Sequence, residues 1–278
     1  MRRVLYVFVL AVILTGSACN PVNNSTPTGD GGVAAQDVAS VLEWDHAPDA
    51  VVVRMDTKGS TGDPVYDDNT IPYCTLFGDG HVMWVDPYAD PEQVLEDRVS
   101  EQVVRDFLEY VIGTGFYTWD PVTGLLLPAT TEPDTPGPIV ERITVTLYGQ
   151  TVEQTALSNW PREAFANILE RCQHLSDSPA IFQPSGAWLS AVPSPMRTDI
   201  PSLPWESFAQ SFPGVDITTM TLDAPLWATG DLLRVSWELV REGRVQITRD
   251  NIAYRLVVQV PGLQPYAPPA PAQASSGS

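Results

Sequence analysis

The fold is decided by the stretch YCTLFGDGHVMWV, which occupies residues 73–85. Asp79-Gly80 stands there between two runs rich in apolar, β-branched and aromatic residues. This pattern predicts a β-hairpin in which both turn residues reach positive φ. A two-residue turn of this kind places Gly78 opposite His81.

Two stripes of apolar residues at helical spacing follow the hairpin. The first begins after Ser100, a residue type suited to capping a helix, and consists of Val103, Val104, Phe107, Leu108 and Val111. The second consists of Phe165, Ile168, Leu169, Cys172 and Leu175. Between them, the alternation of Ile143, Val145 and Leu147 with polar residues predicts part of a strand pair.

The sequence of the second half of the chain predicts mainly β-strands. Three are expected at Leu232–Val240, Arg244–Thr248 and Ile252–Val260. In the first of them Trp237 alternates with Val235 and Leu239, which predicts a core position for the indole. The fold class that follows is α+β, with antiparallel sheets, two main helices and a smaller strand-rich C-terminal part.

Composition shifts along the chain predict its domain organisation. We expect a signal peptide at residues 1–18, followed by a modified cysteine with a flexible leash at residues 19–36. A hairpin-helix-strand-helix domain of α+β type is expected at residues 37–178 and a strand-rich α+β domain at residues 179–262. A disordered tail is expected at residues 263–278.

The N-terminus predicts export. Arg2 and Arg3 precede a short apolar run, Val4–Leu14, and the small residues Ser17-Ala18 lead to Cys19. This is the pattern of a secretory signal peptide, and the run is shorter than the roughly 20 residues that span a bilayer.

The residues before Cys19 also bear on anchoring. Ser17-Ala18-Cys19 resembles the lipobox of bacterial lipoproteins, in which the cysteine is acylated, although that family prefers leucine where Gly16 stands. The resemblance implies a palmitate-type lipid on Cys19 that holds the chain on the outer face of the cytoplasmic membrane, with the membrane as its partner. The polar stretch after Cys19 suits a leash. The alternative is cleavage by an ordinary signal peptidase and secretion.

Charge excludes one class of partner. The 278 residues include 15 Lys+Arg against 34 Asp+Glu, a formal net charge of −19. Nucleic-acid binding depends on basic residues that neutralise phosphates, so we expect no nucleic-acid partner. The same balance disfavours electrostatic adhesion to anionic lipids, which leaves anchoring to the acyl group.

The hairpin motif resembles a known group of domains. Leu76–Val82 is similar to the aromatic-Gly-Asp-Gly hairpin of uncharacterised bacterial lipoprotein domains. In those domains a helix follows and ends in a Gly-aromatic-aromatic step, here Gly115–Tyr117, and a strand pair and second helix come next, here Glu141–Leu175. The resemblance covers roughly Ala50–Leu175. It implies the fold of the first half, and those domains have no assigned activity to carry over to this chain.

Cys74 and Cys172 remain once Cys19 is set aside. With a two-residue turn, Leu76, Met83 and Val85 share a sheet face with Cys74, and that face needs a helix to cover it. The second helix offers Cys172 toward the core, so a disulfide between the two is one hypothesis in an oxidising compartment. Two buried free thiols are the alternative.

No metal or cofactor is expected. Cys74, Cys172, His81 and His174 are zinc-ligand types, but the predicted hairpin separates Cys74 from His81 by roughly 13 Å. The acidic stretches Asp63–Asn69 and Asp86–Asp90 lack the spacing of an EF-hand. The sequence has no nucleophile elbow, zincin motif or phosphate-binding loop, so no catalytic residue is predicted.

The functional hypothesis is therefore a non-catalytic exported lipoprotein of the cell envelope that binds or organises another envelope component, either a protein or a glycan. Trp205 and Trp227, near proline-rich connections, are the best candidates for exposed partner contacts, and packing in the core is the alternative for both. The alternative is a hydrolase that cleaves wall or extracellular polymers with a carboxylate pair. A third hypothesis is a calcium-stabilised adhesion module.

Overall fold

Two β-sheets and five α-helices make up the part of the chain that the computed structural model describes, residues 42–119, 137–243 and 246–272. All of these residues belong to one unit, Ala39–Ser278. The predicted α+β class with antiparallel sheets is confirmed, although the molecule is rich in strands and is not built around two main helices.

The first sheet has seven strands, and every neighbouring pair is antiparallel. Its strands are β1 (Val51–Ser60), β2 (Cys74–Phe77), β3 (His81–Asp86), β4 (Gln93–Arg98), β5 (Gly137–Leu147), β6 (Gln150–Thr155) and β7 (Ala180–Ile181). Their spatial order is β6-β5-β1-β2-β3-β4-β7. The predicted hairpin therefore lies in the middle of this sheet.

The second sheet has five strands in the order β10-β8-β12-β11-β9. They are β8 (Ala187–Ser194), β9 (Ser202–Pro204), β10 (Leu226–Ala228), β11 (Gln246–Arg249) and β12 (Ile252–Gln259). The β9–β11 pair is parallel and the other pairs are antiparallel.

The helices are α1 (Pro64–Asn69), α2 (Glu101–Gly113), α3 (Ala164–Gln173), α4 (Trp205–Ser211) and α5 (Gly230–Glu242). A single 3₁₀ turn, Phe116–Thr118, follows α2. Ser100 caps α2 as predicted, since its side chain accepts a hydrogen bond from the amide of Val103. None of the helices in the described ranges combines the length and apolar composition needed to cross a bilayer.

The hairpin loop has three residues, Gly78–Gly80, so the predicted two-residue turn is wrong. Of those residues only Gly80 has a positive φ, +84°. The change shifts the strand register by one residue, because Leu76 pairs with Val82 instead of Met83. A one-residue shift turns each side chain to the other face of a sheet. Met83 therefore lies on the face opposite Cys74.

Close packing explains why the motif has glycine before aspartate. The indole Nε1 of Trp44 donates a hydrogen bond to the carbonyl of Gly78 at 3.0 Å. A Cβ on Gly78 would overlap the carbonyl oxygen of Asp45, so only glycine fits under this segment. Asp79 then closes the turn, because its carboxylate accepts a hydrogen bond from the amide of His81 at 3.0 Å.

The first core lies between one face of the first sheet and helices α2 and α3. Both predicted apolar stripes supply it, with Val104, Phe107, Leu108 and Val111 from α2 and Phe165, Ile168 and Cys172 from α3. Cys74 on β2 and Cys172 on α3 form a disulfide within this core, with their Cα atoms 6.4 Å apart. Of the two alternatives left open for these cysteines, the structure has the disulfide.

The second core lies between the opposite face of the first sheet, the second sheet and helices α4 and α5. Phe77, Met83, Val85 and Val94 come from the first sheet, and Leu189, Leu256 and Val258 from the second. Residues from both sides of the predicted boundary near Ser178 thus share one core.

The segment Leu232–Val240, predicted to be a strand, lies within helix α5. Its buried residues are Leu233, Ser236 and Trp237, which have the i, i+3, i+4 spacing of a helix face. The alternation of Val235, Trp237 and Leu239 fits a strand equally well over so short a run. The burial of Trp237 is confirmed, because the residue is 4% exposed.

Candidate functional site

A cleft of about 460 Å³ opens where the two sheets meet, and we call it the inter-sheet cleft. The first half of the chain contributes Thr57, Tyr66, Asn69, Tyr73, Glu92 and Ile139 to its lining. The second half contributes Ser194, Arg197, Ile200, Arg241, Gln246, Tyr254 and Arg255. Its volume falls in the range of small-ligand sites.

Two side-chain amides hold the walls of the cleft together. Asn69, the last residue of α1, donates to the carbonyl of Leu256 at 2.8 Å and accepts from the amide of Val258 at 2.9 Å. Gln246 donates to the carbonyl of Arg197 at 2.5 Å and accepts from the amide of the same residue at 3.0 Å. Because both amides bond within the walls, they serve as framework and are not left to bind a ligand.

Arg241 is the most buried charge of the lining, with a side chain that is 10% exposed. It donates to the Glu92 carboxylate at 3.1 Å and to the carbonyl of Asn69 at 2.7 Å. Its guanidinium also lies over the ring of Trp237, 5.0 Å from the centroid. Burial lowers the pKa of Arg241, and the nearby Glu92 opposes that effect. These contacts fix the guanidinium in one position.

Arg197 and Arg255 are more exposed. Arg255 donates through Nη1 to the Asp63 carboxylate at 2.6 Å, and Asp63 also caps α1. Arg197 makes a two-point contact with Asp199, at 3.1 Å from Nε and 2.5 Å from Nη2. The side chain of Arg255 is 40% exposed and that of Arg197 is 59% exposed. Both can therefore present further N–H donors to the cleft.

Exposed ring faces and an apolar side chain complete the site. Tyr66 is 55% exposed, Tyr73 is 38% exposed and Ile139 is 48% exposed, and all three line the cleft. Burial raises the pKa of the Tyr73 hydroxyl, and Tyr66 and nearby carboxylates add to the effect. Tyr73 is therefore protonated at neutral pH and can donate a hydrogen bond.

Carboxylates are scarce in the cleft. Among its described lining residues, Glu92 is the only acid, and its carboxylate is bonded to Arg241. A glycosidase of the two-carboxylate kind needs a second acid within about 5 to 10 Å. The described lining thus contains one of the two acids that such a pair requires.

The residues proposed from sequence lie outside the cleft. Cys74 and Cys172 are fully buried in the first core, where their disulfide links β2 to α3. Cys19 and its flanking residues lie outside the described ranges, so lipidation stays a prediction.

The expected exposure of Trp205 is wrong. The residue is 5% exposed and stacks on Phe208, with ring centroids 5.3 Å apart, in the second core. It begins helix α4, whose apolar face packs inward, and this explains the burial. Trp227 is partly buried and lies edge-on to Trp188 at 5.1 Å. A partner contact at Trp227 stays a prediction.

The four residues of zinc-ligand type singled out from sequence do not come together in the structure. His81 bonds to Glu96 at 2.9 Å and His174 to the carbonyl of Glu170 at 2.6 Å, while both cysteines are in the disulfide. In the first acidic stretch the Asp67 carboxylate accepts hydrogen bonds from Ser60 and Thr61. Over the described residues, no three His, Cys, Asp or Glu side chains are grouped to hold a metal ion.

Sequence reasoning missed the residues that form the cleft, above all Arg241 and Tyr66. One signal was present for Arg241, because Trp237 and Arg241 are four residues apart before Gly243, a spacing that suits a stacked pair near a helix C-terminus. For Tyr66 the signal was Pro64 after Asp63, which indicates a helix start.

Comparisons with known proteins found no similar protein. No family model, curated protein or solved structure matches the chain. The likeness to bacterial lipoprotein domains thus remains an expectation from residues 50–175.

Proposed function

We propose that this chain is a non-catalytic lipoprotein of the bacterial cell envelope, and that its inter-sheet cleft binds another envelope component. The observation that carries the proposal is the cleft itself. Exposed tyrosine rings and fixed arginines share its lining with a single described carboxylate, which is already paired.

The proposed location at the membrane rests on the sequence. Arg2 and Arg3, the apolar run and the small residues before Cys19 support export and acylation. A lipid on Cys19 would hold the folded part, on the leash of residues 20–36, at the outer face of the cytoplasmic membrane. Secretion without a lipid is the alternative.

The proposed binding role rests on the composition of the cleft. Tyrosine and arginine are the residue types that contribute most to recognition sites, since each combines a flat contact surface with hydrogen-bond donors. The walls come from both halves of the chain, and Asn69 ties the first half to the second through Leu256 and Val258, while Gln246 bonds within the second half. We infer that the predicted hairpin-helix-strand-helix part and the smaller strand-rich C-terminal part act as one binding unit.

A hydrolase with a carboxylate pair is the competing proposal. It requires one acid that can donate a proton and another that stays ionised near it. Glu92 is held by Arg241, and Asp63 and Asp199 are held by Arg255 and Arg197. Each of these acids is neutralised by an arginine, so none is set apart as a proton donor.

Photo-crosslinking in cells tests the proposal. A benzophenone amino acid replaces Tyr66 in the full-length chain, and the matched control replaces Tyr148, which is 51% exposed and lies outside the cleft lining. We expect one reproducible adduct from position 66 and none from position 148. Cys19→Ser should abolish palmitate labelling and release most of the chain from the membrane fraction, and the adduct from position 66 should persist at lower yield because the cleft itself is unchanged.

Two results would contradict the proposal. One is the same pattern of adducts from both positions, which would mean that the cleft has no special role. The other is the absence of any adduct while the chain remains membrane-bound and folded.

A further inference from the structure

The charge of the cleft differs from that of the chain. The whole chain carries a formal net charge of −19, yet the described lining of the cleft contains three arginines and one glutamate. Asp63 and Asp199, the carboxylates paired with Arg255 and Arg197, bring the net charge of this group of side chains to about zero. An anionic ligand therefore meets less repulsion here than it would at an acidic surface.

The hydrogen-bonding groups left for a ligand are mostly donors. The amides of Asn69 and Gln246 are used in the walls. Arginine has donors and no acceptor, and among the described residues one nitrogen of Arg255 bonds to a side chain, that of Asp63. Its guanidinium, 40% exposed, keeps a second edge of N–H groups. A planar pair of N–H donors matches the two oxygens of a carboxylate.

The apolar part of the lining suits a ring. Tyr66, 55% exposed, and Tyr73, 38% exposed, both line the cleft, and the ring of Tyr73 also packs at right angles to Phe165 with centroids 5.8 Å apart. Exposed aromatic faces stack on flat apolar surfaces while their hydroxyls hydrogen-bond. Hydroxyl groups of Thr57 and Ser194 are also in the lining. Aromatic faces bordered by hydroxyls suit a sugar ring, which has apolar C–H faces and a polar rim.

The size of the cleft favours a short ligand over a protein surface. A volume of about 460 Å³ lies at the small-molecule scale, whereas a stable protein interface buries roughly 800 Å² on each partner. We propose that the cleft binds a short stretch of an acidic saccharide, with its carboxylate on Arg255 and its ring against Tyr66. This inference rests on the proposed function and names its ligand class.

Isothermal titration of the purified full chain, in the Cys19→Ser form, tests the proposal. The probes are trigalacturonate, its methyl ester and glucose 6-phosphate. The ester keeps the rings and removes the charge, and the sugar phosphate keeps an anion of different shape. We expect trigalacturonate to bind at least about tenfold more tightly than either of the others, the size of one charge-assisted hydrogen bond.

Matched variants locate the site. Arg255→Gln should weaken the binding of trigalacturonate about tenfold. Arg255→Lys should recover only part of the lost affinity, because lysine keeps the charge without the planar guanidinium. The control is Arg234→Gln, whose side chain is 52% exposed and lies outside the lining. Tyr66→Ala should weaken binding and Tyr148→Ala should not. Circular dichroism checks that each variant is folded.

Several outcomes would overturn the inference: equal affinity for acid and ester, preference for the phosphate, no saccharide binding, or equal losses in Arg255→Gln and Arg234→Gln. The crosslink from position 66 separates the two proposals. If it forms while trigalacturonate fails to bind, only the ligand class is wrong. If neither the crosslink nor the binding of trigalacturonate is observed, the proposed binding function is wrong as well.

Discussion

Replacing Cys74 and Cys172 together with alanine is expected to lower the free energy of unfolding by roughly 4 to 5 kcal/mol. The bridge joins residues 98 positions apart, so it removes a large loop-closure entropy from the unfolded chain. Both cysteines are fully buried, and removing them also takes contacts from the first core. The measurement is urea unfolding followed by tryptophan fluorescence.

The experiment is done in a Cys19→Ser background, so that no third thiol can exchange with the bridge. Reductant should shift the unfolding midpoint of the parent chain toward that of the double variant and leave the double variant unchanged. Equal midpoints for the parent and the double variant, both under oxidising conditions, would show that no stabilising bridge exists.

Asp56→Ala is expected to destabilise the fold by about 3 to 5 kcal/mol. Both oxygens of Asp56 bond to Arg142, at 2.7 Å from Nε and 2.7 Å from Nη2. The side chains are 5% and 11% exposed, so the variant leaves a buried guanidinium without its main partner. Hydrogen bonding to Asp56 raises the pKa of Arg142 in the parent chain. Arginine stays protonated in proteins even without such a partner, so the variant cannot relieve the cost by losing a proton.

A neighbouring ion pair provides the control for this prediction. Lys58 bonds to Glu153 at 2.6 Å, but their side chains are 55% and 34% exposed. Lys58→Ala should therefore cost at most about 1 kcal/mol. Both variants are compared by chemical denaturation. Similar losses for Asp56→Ala and Lys58→Ala would contradict the assignment of a buried pair.

The sequence predicted the local elements of the first half better than their register. The hairpin, the Ser100 cap and both apolar stripes follow from residue types and spacing. The register depends on whether the loop has two residues or three, and FGDGH is compatible with both. In the structure Gly78 of this loop also bonds to Trp44, 34 positions away, and no local pattern contains that contact.

The second half was harder because short segments carry ambiguous patterns. Val235, Trp237 and Leu239 alternate as in a strand, and Leu233, Ser236 and Trp237 repeat as in a helix. The helix is stabilised by tertiary packing in the second core, which a local pattern does not contain.

The cleft was beyond sequence reasoning because its parts are far apart in the chain. Its lining runs from Thr57 to Leu256 and depends on how the two sheets pack. Arg241 in particular joins the site through Glu92, 149 positions away. Such a site shows no motif, and its residues look like solvated charges when each is taken alone.

The central claim is that the inter-sheet cleft holds an envelope component, and co-sedimentation with isolated envelopes tests it most directly. The full chain is used in the Cys19→Ser form, so that no lipid contributes to sedimentation. We expect saturable binding that Tyr66→Ala weakens about tenfold and Tyr148→Ala leaves unchanged. Equal sedimentation of all three proteins, or none by the parent chain, would contradict the claim.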